Sequence, residues 1–113
     1  MAYDLNLADR IRKVLVNKSV KFKEKEMFGG VAFMVKGKMC VGIIKNDLMA
    51  RIDPEIESMA LKKKGARQMD FAGRPMKGYI YVNPAGVDAA KDLRYWIDLC
   101  LEFNPKAKSS KKK

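Results

Sequence analysis

Six basic side chains stand where they could hold the phosphates of a polyanion: Lys21, Lys23, Lys25, Arg67, Arg74 and Lys77. The three lysines recur at every second residue, which on an extended strand puts them on one face, about 6.6 Å apart. Arg74 and Lys77 lie inside Gly73-Arg74-Pro75-Met76-Lys77-Gly78, a glycine-bracketed turn whose tip could offer a guanidinium to an anion. Tyr79 and Tyr81 follow it, and aromatic rings beside basic groups are the ingredients of a surface for single-stranded nucleic acid. The same residues have plainer explanations. Lysine on an edge strand discourages edge-to-edge pairing, an arginine at a turn is commonly just solvated, and the RNP motifs of an RRM are absent.

For acid–base or nucleophilic chemistry the sequence offers little. It contains no histidine. That removes the commonest general base, the Ser-His and Cys-His arrangements, and the usual nitrogen ligand of zinc. Cys40 and Cys100 each sit alone inside an apolar periodic segment and read as buried thiols. Gly29-Gly30 is not part of a phosphate loop, since neither GxGxxG nor the GxxxxGK motif is present. Two glycines opening an apolar strand point to close backbone packing or a bulge. No catalytic residue, cofactor or metal site is therefore expected.

The elements that must carry these residues follow from periodicity. Leu7, Ala8, Ile11, Val14 and Leu15 form one helical stripe over residues 5–17, with Asp4 or Asn6 as N-cap. Residues 20–27 alternate, with Val20, Phe22, Glu24 and Glu26 on one parity and the lysines on the other, as an edge strand would. Residues 30–35 and 38–44 make a hairpin about Lys36-Gly37, and a turn at Asn46-Asp47 leads into residues 48–52, completing a meander. Asp53-Pro54 starts a middle helix that Lys62, Lys63, Lys64 and Gly65 would close. Residues 67–71 and 76–82 are strands joined by Ala72-Gly73-Arg74-Pro75. A last helix over residues 87–103 buries Leu93, Trp96, Ile97, Cys100 and Leu101. The expected fold class is α+β: two layers, with an antiparallel sheet of about five strands (meander plus hairpin) packed with N-terminal, middle and C-terminal helices.

At 113 residues the chain is one domain, residues 1–103, followed by a lysine-rich, disordered tail over 104–113. The net charge is +11; five of those charges are tail lysines, which leaves a body of +6 that favours polyanions non-specifically. No signal peptide and no apolar run near the ~20 residues of a membrane span is visible, so a cytoplasmic protein is expected.

The strands at 31–35 and 39–44 are apolar on both parities. Val31, Phe33 and Val35 oppose Ala32 and Met34; Met39, Val41 and Ile43 oppose Cys40 and Ile44. A sheet with one wet face alternates apolar with polar. Here a helix on each face, or a second copy of the chain, is needed as cover. Eight methionines add adaptable apolar surface. A homodimer is therefore a candidate assembly.

Met27-Phe28-Gly29-Gly30, the next strand with Phe33 and Gly37, Leu48-Met49-Ala50-Arg51-Ile52-Asp53, and the late Leu93-x-x-Trp96 resemble the TfoX N-terminal domain family. Met69-Asp70-Phe71 with Gly73-Arg74-Pro75-Met76-Lys77-Gly78 is similar to one branch of it. The resemblance spans about residues 5–103. It implies a two-layer antiparallel fold like that of type III secretion chaperones and kinship with the TfoX/Sxy regulators of natural competence genes in bacteria. Regulators of that type carry a second, C-terminal helical domain; this sequence reads as a stand-alone N-terminal domain ending on its lysine tail. The family supplies no catalytic residues. Met27, Phe28, Gly29, Gly30, Gly73, Pro75 and Gly78 then read as fold-specifying positions.

The leading expectation is a non-enzymatic regulatory module that works by contact with an unidentified protein partner through its Met-rich sheet face. The alternative is direct nucleic-acid binding through the six basic residues and the tail. An enzyme ranks third.

Overall fold

The computed structural model describes residues 3–27, 30–71 and 74–106, without the side chains of residues 27, 69–71 and 74–77. Phe28, Gly29, Gly73 and residues 107–113 lie outside the described residues, as do the side chains of Met27, Arg74, Pro75 and Lys77.

The chain opens with helix α1 (Leu5–Asn17), capped by the Asp4 carboxylate, which accepts the N–H groups of Asn6 and Leu7. Leu7, Ala8, Ile11 and Leu15 are its buried stripe. Strands β1 (Lys23–Met27), β2 (Gly30–Val35), β3 (Lys38–Ile44) and β4 (Asp47–Arg51) follow. Positive φ at Lys36 and Gly37 builds the tight hairpin turn between β2 and β3. A Cβ on Gly30 would lie 1.9 Å from the Ile43 carbonyl oxygen, so the start of β2 reaches its place against β3 only with glycine there.

The middle helix is shorter than its capping signals suggest. Asp53 accepts the N–H of Glu55 and Pro54 takes the first position, but a 3-10 turn (Pro54–Ile56) passes directly into α2, the single turn Glu57–Ala60. Ala66 must pair with Val82 at the start of the next strand, and only residues 61–65 remain to bring the chain back. Lys62, Lys63 and Lys64 are therefore exposed loop residues and not a helical last turn. Strands β5 (Ala66–Phe71) and β6 (Arg74–Val82) form the final hairpin. A 3-10 turn (Pro84–Gly86) capped by Asn83 delays the last helix, α3, to Ala90–Phe103.

Among the described residues, six strands make one antiparallel sheet in the order β1-β2-β3-β4-β6-β5. Side chains from all three helices, Ile11 and Leu15 of α1, Ala60 of α2, and Leu93, Trp96, Ile97 and Cys100 of α3, join one core with Val31, Phe33, Ile43, Leu48, Ile80 and Val82 of the sheet and with Ile52 just after β4. The fold is α+β in two layers. Trp96, 1% exposed, is its largest fully buried side chain. All three helices lie on one face. A helix on each face, one of the two coverings the residue pattern allows, is thereby excluded among the described residues.

One assignment of faces is reversed. The pattern alone groups Met39 with Val41 and Ile43 and opposes Cys40 to them. The β2–β3 register slips so that Phe33 faces Val41 while Met34 faces Met39. Cys40 is the extra residue of a β-bulge. It turns into the core, and Met39 moves to the other face beside Met34.

A clasp closes one end of the sheet. The Lys38 ammonium donates to the Asn104 carbonyl (3.1 Å), and the Asn104 amide nitrogen donates to the Val35 carbonyl (3.2 Å). Asn104 is 3% exposed, so these bonds satisfy a polar group that burial would otherwise penalise. No helix among the described residues is long and apolar enough to cross a membrane.

Candidate interaction surface

The sheet face away from the helices is assembled by cross-strand pairing. One row runs Lys25, Ala32, Gly42, Met49, Tyr81, Arg67, from the free edge of β1 to that of β5. Lys23, Met34 and Met39 form part of the next row, and Arg51 pairs with Tyr79 on the β4–β6 side. Ile44 and Asp47 pair beyond the first row. Methionines thus fill the centre, tyrosines flank it, and basic residues stand at the edges.

The packing of this face is loose compared with the core. Met34, Met39, Ile44, Tyr79 and Tyr81 are half-buried, and no helix among the described residues covers them. Met49 is 4% exposed because its chain lies over Gly42, whose added Cβ would stand 3.0 Å from the Met49 methyl. The Arg51 guanidinium sits 5.4 Å from the centre of the Tyr79 ring, and that of Arg67 sits 4.9 Å from Tyr81. Such cation–π contacts contribute about 0.5–1 kcal/mol each at exposed sites. Arg67 also donates to the Asp47 carboxylate at 2.8 Å.

The six basic residues nominated by the sequence do not form one cluster. Lys21, Lys23 and Lys25 are exposed on the β1 side, in no ion pair among the described residues. Arg67 stands on the opposite edge, five strand spacings or about 24 Å away, neutralised by Asp47. Arg74 pairs with Phe71 at the end of the last hairpin, while the side chains of Arg74 and Lys77 lie outside the described residues. Of the fold-specifying positions, Gly30 has no room for a Cβ. Gly78 has φ +86° and accepts the Ile52 N–H.

Two juxtapositions were not legible as motifs. Cys40 and Cys100, sixty residues apart, meet in the core, where burial first and then the hydrogen bond that the Cys100 thiol donates to Cys40 raise the Cys100 thiol pKa well above its ordinary range. A thiol held neutral is a poor nucleophile. The cross-strand pairs of Arg51 with Tyr79 and Arg67 with Tyr81 needed the strand register, which the bare sequence does not state. On the helix side, Arg12 of α1 makes a two-pronged ion pair with Glu24 of β1, which raises the arginine pKa and matches the register that turns Glu24 toward the helices. No group of three or more His, Cys, Asp or Glu residues able to hold a metal is present among the described residues.

The model of the TfoX N-terminal domain family matches residues 15–104. No curated protein and no solved structure matches the chain.

Proposed function

This chain belongs to the TfoX N-terminal domain family, and from that premise we propose a non-enzymatic regulatory module that acts by protein–protein contact in the cytoplasm. The observation that carries the reading is the helix-free sheet face with Met34, Met39, Ile44, Met49, Tyr79 and Tyr81 at its centre. Methionine adapts its shape to a partner and tyrosine combines apolar area with a polar tip, so such a face suits recognition of another protein. The wide separation of Lys25 from Arg67, and the pairing of Arg67 with Asp47, favour this reading over a continuous polyanion track.

The test compares the tagged protein with its Met34→Asp/Ile44→Asp variant in affinity capture from its own cells, with sedimentation run alongside. A partner retained by the parent and lost by the variant supports the reading, while equal capture by both removes it. Duplex DNA binding at about 50 mM salt that falls steeply as salt rises would favour the nucleic-acid alternative.

A further inference from the structure

We propose that the free edge of β1 is a docking edge for an extended segment of a partner protein whose acidic side chains recur at every second position. The inference rests on the protein-contact reading and names the chemistry of the partner. β1 ends the sheet, and among the described residues no backbone bond reaches its outer side. Its two faces carry opposite charge. Lys23 and Lys25, with Lys21 just before them, point away from the helices, while Glu24 and Glu26 point toward them. This phase is pinned: Phe22 packs on Phe33 with ring centres 5.8 Å apart, and Glu24 is held by Arg12. A slip by one residue would break both contacts.

That pattern selects among occupants. Two copies of β1 paired antiparallel are related by a twofold axis normal to the sheet, which keeps lysine faces with lysine faces. Wherever two charged residues then stand directly opposite, they are Lys with Lys or Glu with Glu, and like charges directly opposite are destabilising. A nucleic-acid strand offers uniform negative charge, which meets Glu26 as well as the lysines. A peptide strand with acids opposite Lys23 and Lys25 and uncharged or basic residues between them satisfies both faces, while its main chain pairs with the unfilled ladder.

The experiment uses the full chain and three fluorescent probes: a capped nine-residue peptide alternating glutamate with threonine, its lysine–threonine counterpart, and an oligothymidine of matched length. The acidic peptide is expected to bind at least tenfold tighter than the basic one and to slow amide exchange across residues 23–27. The double variant K23E/K25E changes only exposed side chains and is expected to reverse the peptide preference. An unchanged preference in that variant, or oligothymidine binding as tightly as the acidic peptide, overturns the proposal. If amide perturbations fall on Met34, Met49 and Tyr81 and spare β1, the edge proposal fails and the open-face reading stands. If the peptide docks on β1 while Met34→Asp/Ile44→Asp leaves partner capture intact, the edge stands and the open-face reading fails.

Discussion

The two faces of the same sheet are built from different alphabets. Toward the helices stand Val31, Phe33, Val41, Ile43, Leu48, Ile80 and Val82, and the core contains no described methionine. Toward the open side stand Met34, Met39 and Met49 with Ala32, Gly42, Ile44 and two tyrosines. Branched and aromatic side chains have few rotamers and specify one packing; methionine has many and accepts several. The difference shows that an apolar pattern on both parities need not mean equal burial. One face carries the stability of the fold, and the other is left adaptable.

This contrast can be broken or sharpened by mutation. Trp96→Ala is expected to cost about 3–5 kcal/mol in chemical denaturation, the largest effect, since it empties the centre of the helix-covered side. Gly30→Ala is expected to cost about 2–3 kcal/mol, because its Cβ collides with backbone. Gly42→Ala should cost less, since its Cβ would stand 2.9 Å from the Val31 carbonyl oxygen, a milder clash than the 1.9 Å at Gly30, and its other close neighbour is the flexible Met49 methyl. The third test is pH. In the folded chain the Cys100 thiol keeps its proton above the ordinary thiol value of about 8.5, where the unfolded chain releases it. Stability is then fully present below that pH and falls as pH rises, by up to about 1.4 kcal/mol per unit, until the folded thiol also ionises. Thermal melts of Cys100→Ala should lack that slope, although the variant starts from a lower stability. On the open face, Met34→Ala is expected to cost under about 1 kcal/mol; a loss equal to that of a core residue would dissolve the contrast. Smallest of all is Glu24→Gln, which weakens a partly exposed surface pair with Arg12 and should shift stability by about 0.5 kcal/mol or less.

Much of this architecture is legible in the sequence. The stripe of Leu7, Ile11 and Leu15, the turn at Lys36-Gly37, the N-cap at Asp53 and the buried Trp96 all rest on local rules of period and capping. What was not readable depends on contacts distant in sequence. Period shows that a strand is apolar on both sides but not which side the helices choose. The bulge at Cys40 left one trace, the unbroken apolar run Met39-Cys40-Val41, and only the register of β2 against β3 resolved it. The lysines of β1 and Arg67 formed a single candidate set by charge; strand order put them at opposite edges. Asp47 as the partner of Arg67 had no signal at all, since twenty residues separate them in sequence and strand β6 lies between them in the sheet.

The clasp of Lys38 and Asn104 bears on time as well as place. It ties the tip of an early hairpin to the last helical turn, across sixty-six residues of chain. The same late segment supplies Trp96, Ile97 and Cys100 to the core. During synthesis the meander emerges first, with its apolar inner face uncovered until α3 arrives. Completing the core of this protein therefore requires a non-local closure by its final quarter, and that closure carries a chain-entropy cost which local helix and hairpin contacts do not.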